Sequence, residues 1–158
     1  MANPSLTFGV ASYLTDVVAL LNTNKATLGA GVDSVENTID YENEIPFVSG
    51  GFPFIMADIG DPASVLEPEG GNLDIRFALT ILIMVEADDQ KTGKYEAARP
   101  VAWNIEKSVR GYLRHVEGYE EPNVINSSGG PMALSDRHVY AVVMSIETQT
   151  PEIDAPDN

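Results

Sequence analysis

A chain of 158 residues with 24 acidic and 9 basic side chains carries a formal net charge of −15. Such a charge repels nucleic-acid phosphates and anionic membranes, which argues against direct binding to either. The absence of cysteine excludes disulfides, thiolate zinc sites and cysteine nucleophiles.

The first predicted element is a helix over Ser5–Asn22. Its apolar residues recur at three- and four-residue steps, which is helical spacing. They are Leu6, Val10, Tyr13, Leu14, Val17, Leu20 and Leu21. After the helix, Gly29 and Gly31 predict a stop, and the acids between residues 33 and 44 predict a solvated connection.

Two strands are predicted next. Apolar residues alternate around Pro53, which indicates a short strand. The proline predicts that this strand lies at a sheet edge or that Pro53 is among its first residues. The segment Phe77–Val85 is apolar on both of its alternating faces, and the alternation over residues 75–86, within the run 72–89, predicts a long strand of roughly 40 Å. A strand apolar on both faces needs cover on both sides. We expect a second copy of the chain to cover one side; the alternative is a strand that bends and changes faces within one domain.

The second half predicts a helix within 92–118, with an apolar stripe of Val101, Ile105, Val109, Tyr112, Leu113 and Val116. Residues 119–131 predict a loop, and the last strand is expected within 132–150. This order predicts an α+β fold, in which a mainly antiparallel sheet carries two helices on one face. The second face and the long strand are expected to make oligomer contacts. Residues 1–150 are expected to form one domain, and 151–158 a flexible acidic tail.

No catalytic, cofactor or metal site is predicted. Ser127, Ser128, Asp136 and His138 lie close in sequence, with His115 at the end of the second helix, but no Gly-x-Ser-x-Gly elbow is present. The carboxylate pairs Asp88–Asp89 and Glu120–Glu121 are typical of solvated loops. Asp58 and Asp61 favour a capped turn over a cation site. The glycine pairs at 50–51 and 129–130 lack the residues of a phosphate cradle and predict turns.

Positive charge is concentrated in one part of the chain. Six of the nine bases lie between residues 91 and 114, where only Glu96 and Glu106 are acidic. This window carries +4, so the rest of the chain carries −19. The pattern fits a solvated helix face, or a basic band that meets an acidic band on another subunit. Trp103, off the apolar stripe, fits either a contact site or packing beneath a loop.

The layout resembles the tail terminator, or tail completion, proteins of tailed bacteriophages. The segments that carry the likeness are the N-terminal helix, FPFIMADIGD, LDIRFALTILIMVEA, DDQKTGKYE, ARPVAWNIEKSVRGYLRHV and HVYAVVMSIETQ. The long acidic linker near 33–45 and the tail from Pro151 depart from that layout. The resemblance implies a hexameric ring without enzymatic activity or cofactor, which stops growth of the tail tube and presents a docking face for the head.

The resemblance also implies a virion protein that is assembled in the host cytoplasm. Its implied partners are the tail tube protein and a head-completion or connector protein, with no membrane and with DNA only passing through the lumen. The residues expected in charged contacts are Arg76, Asp88, Asp89, Lys91, Lys94, Arg110, Arg114 and Arg137. The alternatives are another neck or connector protein, a small acid/base hydrolase built on His138, and a monomeric binding module.

Overall fold

The computed structural model describes residues 4–37, 51–59, 64–66, 74–87, 93–116, 122, 124–133 and 137–151. These ranges form an α+β fold of two α-helices and one six-stranded sheet, which confirms the predicted fold class. The helices are α1 (Pro4–Thr23) and α2 (Ala98–Leu113), with a short 3-10 helix at Lys25–Thr27. The strands are β1 (Ser34–Asn37), β2 (Phe54–Ile59), β3 (Ser64–Leu66), β4 (Asp74–Glu86), β5 (Val124–Ala133) and β6 (His138–Pro151).

The sheet has the strand order β1-β2-β4-β6-β5, and β3 also pairs with β4. Only the β1–β2 pairing is parallel among these described strands. The long strand β4 is paired with β6 along its whole length, from Asp74 opposite Pro151 to Glu86 opposite Val139. Neither long strand is therefore an edge, and β1 and β5 stand at the two ends of the order.

Both helices pack on one face of the sheet. Alternate residues of β4 on this face, such as Ile81 and Ile83, are fully buried with Val142 and Met144 of β6. The cover comes from α1 through Tyr13, Leu14, Val17 and Leu21, and from α2 through Ala98, Ala102, Ile105, Val109 and Leu113. A single main core thus lies between the helices and one side of the sheet.

The opposite face carries a second, smaller cluster at one end. Its buried members are Phe54 and Met56 of β2, Met84 of β4, and Val139 and Ala141 of β6. Met84 is 0% exposed in the single chain. The inference that a second copy is needed to cover this part of β4 is therefore wrong, because the chain's own residues cover it.

Elsewhere on that opposite face, several of the described side chains are open to solvent. They include Thr80 of β4, Asn126 and Ser128 of β5, and Ser145 of β6, all exposed. Val143, at 40% exposure, is the one large apolar side chain exposed among the described residues. Whether this open area touches another subunit stays a prediction.

Three strands, β1, β3 and β5, were not predicted from the sequence. The connection expected after residue 33 begins with β1, where Val35 is buried against the main core. The expected loop at 119–131 contains most of β5, and the glycine pair 129–130 lies within that strand rather than in a turn. Asp58 lies in β2 opposite Thr80 rather than in a capped turn. Of the tail predicted at 151–158, Pro151 is the last residue of β6, and residues 152–158 lie outside the described residues.

Candidate interaction surface

The cations of α2 and of its C-cap residue, Arg114, lie on one side of the helix, and all but the half-buried Arg110 are exposed. The stripe that they form with the indole contains Arg99, Trp103, Lys107, Arg110 and Arg114, which follow one another at four-, four-, three- and four-residue steps. Residues at this spacing share one helix face. We call this set the basic stripe. It carries four positive charges and one indole on a chain whose net charge is −15.

Contacts with β5 show where the basic stripe lies. The guanidinium of Arg110 donates to the hydroxyl of Ser127 across 3.1 Å, and that hydroxyl donates to the carboxylate of Glu106 across 2.6 Å. Arg110 also forms an ion pair with Glu106, one helical turn away. Glu106 is 5% exposed, so these two partners satisfy a buried carboxylate and link α2 to β5 through their side chains.

The indole of the stripe packs onto the same strand. Trp103 is half-buried, and its N–H donates to the hydroxyl of Tyr140 across 3.2 Å. Both rings close over Gly129, where an added Cβ would lie 2.8 Å from the Tyr140 hydroxyl and 2.9 Å from the Trp103 ring. The guanidinium of Arg99 lies 5.6 Å from the centre of the Tyr140 ring. A glycine at 129 therefore lets α2 approach the sheet this closely.

The other end of α2 is fixed by a different set of contacts. The backbone N–H of Gly29 donates to the Ser108 hydroxyl across 2.9 Å, and the hydroxyls of Thr27 and Tyr112 lie 3.0 Å apart. Gly29 adopts a φ of +60°, and a Cβ there would lie 3.1 Å from Ile105. Because these contacts lie on the α1 side of α2, the basic stripe faces away from them, towards β5.

Below the stripe, β5 forms one end of the sheet. It pairs only with β6 among the described strands. None of its ten residues, VINSSGGPMA, is charged. Edge strands in natural proteins are usually protected by charged side chains, by bulges or by short length. β5 contains no charged residue, and its only proline, Pro131, lies near its C-terminal end.

Of the eight residues expected in charged contacts, the side chains of four are described. Arg110 and Arg114 belong to the basic stripe, and Lys94 precedes α2 with its ammonium 5.5 Å from the centre of the Tyr95 ring. Arg137 lies at the start of β6, with a guanidinium nitrogen 3.6 Å from the Glu86 carboxylate and its guanidinium carbon 5.3 Å from the centre of the Phe52 ring.

The side chains of the remaining four residues are not described. Arg76 is in β4, but its side chain is not among those described, and Asp88, Asp89 and Lys91 lie outside the described residues. Three contributors to the stripe, Arg99, Trp103 and Lys107, were absent from the expected set. Their four-residue spacing was the signal that could have identified them.

The geometry separates the residues of the hydrolase hypothesis. Ser127 pairs with Met144, six residues along β6 from His138, so the two lie roughly 20 Å apart. Ser128 faces the opposite side of the sheet from Ser127, and Asp136 lies outside the described residues. A nucleophile and its base must be within hydrogen-bond distance. The structure therefore brings Ser127 to Glu106 and Arg110, and not to His138.

Across the described residues, no group of three or more metal-ligating side chains is found. No helix in the described part of the chain is both long enough and apolar enough to cross a membrane. No protein-family model matches the chain, and no curated protein is significantly similar to it.

Proposed function

We propose that this chain is a structural assembly protein, the tail terminator of a tailed bacteriophage, and that it acts as a closed homo-oligomeric ring. The observation that carries the proposal is the separation of charge: a basic stripe along α2, three of whose four cations are exposed, in a chain that is strongly acidic elsewhere. Two opposite charge surfaces on one subunit favour head-to-tail contact between copies. The α+β layout, with its helices on one sheet face, agrees with the family resemblance.

The mechanism that we propose is geometric. A head-to-tail interface whose rotation closes gives a ring, whereas one that does not close gives a filament. One face of the ring would complement the end of the tail tube, and the other face would not repeat that contact. Tube growth would stop there, and the free face would receive a head-completion or connector protein. A ring of six copies in the virion, with DNA passing through an acidic lumen, completes the proposal.

The proposal can be tested by adding the purified protein to tail tubes that are assembling from the tube protein of the same virus. We expect shorter tubes, each with added density at one end, in electron micrographs. Tubes of unchanged length without a cap would contradict the terminator role. Binding to the portal or an adaptor, without binding to tubes, would instead support another neck protein.

A further inference from the structure

The helix side of β5 forms the floor of an open shelf. α2 packs over β4 and β6, whose residues on this side are buried in the main core. The residues of β5 on the same side are less covered: Ser127 is half-buried, and Gly129 and Pro131 are exposed. β5 therefore projects beyond the cover of α2, and the helix stands as a wall along one side of it. We call this arrangement the β5 shelf.

The basic stripe runs along the wall of the β5 shelf. Trp103 closes over Gly129. Arg110, seven residues later in the helix, reaches Ser127, two residues earlier in the strand. The helix and the strand therefore run side by side in opposite directions, and the cations of the stripe follow the strand.

The outer side of β5 has no strand partner within the described part of the chain. A further strand placed there would continue the sheet and would pair with the free N–H and C=O groups of β5. Side chains of a strand alternate between the two faces, so every second one would point to the helix side. On that side Lys107 and Arg114 are exposed, and no acidic residue within the described ranges pairs with either.

We infer that the β5 shelf binds an extended acidic strand of a partner protein. Its backbone pairs with β5, and its carboxylates, on alternate residues, face the basic stripe. The exposed cations Arg99, Lys107 and Arg114 span fifteen helical residues, roughly 22 Å. A strand covers this length in about seven residues, with side chains of one face about 7 Å apart. A carboxylate on every second residue therefore places a negative charge near each exposed cation.

The described strands of the chain itself do not supply such a segment. None of β1 to β6 carries acids on alternate residues. Glu36 of β1 points to the sheet face opposite the helices, since its neighbour Val35 is buried in the main core. Nucleic acid is also disfavoured, because a net charge of −15 repels phosphates and a phosphate backbone has no amides to pair with β5.

Two synthetic peptides of about eight residues test the inference. In the first, glutamate and threonine alternate; in the second, the same glutamates are consecutive, so that a strand shows only half of them on each face. We expect the 158-residue chain to bind the alternating peptide at least tenfold more tightly, measured by fluorescence anisotropy of the labelled peptides. The bound peptide should also slow hydrogen exchange of the β5 amides and leave that of the β1 amides unchanged.

A charge reversal tests the role of the stripe. Lys107→Glu should weaken binding of the alternating peptide at least tenfold, because it places a like charge beside the carboxylates. Lys25→Glu is the matched control, since Lys25 is also exposed and lies away from the stripe, and it should change the affinity less than twofold. Equal affinities of the two variants would contradict the inference. Circular dichroism checks that both variants fold.

Further outcomes would overturn the inference. They are equal affinity for the two peptides, binding without added protection of β5, and equally tight binding of a single-stranded DNA of the same charge. Protection of β5 without peptide that is lost on dilution would place a second copy on the shelf instead.

The inference goes beyond the proposed ring, and the two can fail separately. A ring needs the charge of the stripe to orient its copies, whereas strand binding also needs the backbone edge of β5. Rings that form while the alternating peptide does not bind would remove the inference and leave the proposed function standing. Peptide binding by a chain that stays monomeric at micromolar concentration would do the reverse.

Discussion

The two faces of the sheet are apolar over part of the same strands but are buried in different ways. Under the helices, alternate residues of β4 and β6 form the main core. On the other face, a small cluster around Met84 is buried at one end, and the described side chains elsewhere are mostly polar and exposed, with Val143 as the apolar exception. A second subunit is therefore not required to bury a strand position that is apolar on the face opposite the helices, since Met84 is buried within one chain. Neighbouring residues on opposite faces allow matched tests of this difference.

The largest expected effect contrasts Ile81 with Leu82. Ile81 is fully buried under the helices, whereas Leu82 is half-buried on the other face. We expect Ile81→Ala to lower the free energy of unfolding by about 2–5 kcal/mol, and Leu82→Ala by less than about 2 kcal/mol, because the second site leaves a smaller buried cavity. Urea unfolding at one fixed protein concentration measures both. Equal losses would mean that the two faces are equally buried.

The next effect depends on pH and concerns the helix-covered face alone. Burial raises the pKa of Tyr13 to about 12, from 10.0 in an exposed tyrosine. The folded state therefore holds this proton more tightly, so the stability that it supplies is complete below pH 10 and is lost as the pH rises towards 12. A shift of this size corresponds to roughly 3 kcal/mol.

Tyr13→Phe removes this titration. We expect the parent to lose more stability than the variant between pH 9 and 12, so that their unfolding free energies draw together or cross. Denaturant unfolding measures both, and pH effects common to the two proteins cancel in the difference. Parallel curves over that range would show that Tyr13 titrates alike in the folded and unfolded chains.

The glycine pair of β5 gives a smaller contrast. A Cβ added at Gly129 would lie under 3.0 Å from Trp103 and Tyr140. A Cβ added at Gly130 would have no atom within 4 Å beyond its neighbours in the chain. We expect Gly129→Ala to cost about 1–3 kcal/mol through overpacking. Gly130→Ala should be neutral or stabilise by up to about 1 kcal/mol, because alanine restricts the unfolded chain. Thermal unfolding followed by circular dichroism distinguishes them, and a loss at Gly130 as large as at Gly129 would contradict the open face.

The smallest contrast uses the two serines before these glycines. Ser127 bonds Glu106 and Arg110 on the helix side, whereas Ser128 is exposed on the other side. We expect Ser127→Ala to lower the unfolding free energy by about 1 kcal/mol, since it removes a hydrogen bond from a buried carboxylate. Ser128→Ala should stay within about 0.5 kcal/mol of the parent. A Ser127→Ala variant as stable as Ser128→Ala would remove the proposed link between α2 and β5.

Sequence periodicity was sufficient for the helices and the long strands. The predicted helix Ser5–Asn22 differs from α1 by one residue at each end, because its apolar spacing is sustained over five turns. Alternation likewise predicted β2, β4 and the centre of β6, each of which has a strongly apolar face. The α+β class followed from the order of these elements.

Strand β5 could not be found this way. Its apolar residues are few, and its Ser-Ser-Gly-Gly-Pro run has the composition of a turn. Its ladder with β6 and the approach of Trp103 to Gly129 form the strand, and these contacts come from distant parts of the chain. The Glu106–Arg110 spacing predicts an ion pair, but the third partner, Ser127, depends on β5. The basic stripe could be recognised in the sequence as an excess of positive charge. Only the contacts of Arg110 with Ser127 and of Trp103 with Gly129 show that it lies towards β5.

Electron microscopy of the purified 158-residue chain at micromolar concentration tests the central claim most directly. We predict closed rings of one diameter, built from copies of a 17.0 kDa chain. A field of single 17.0 kDa particles with no closed assemblies, across concentrations from below to well above micromolar, would contradict it.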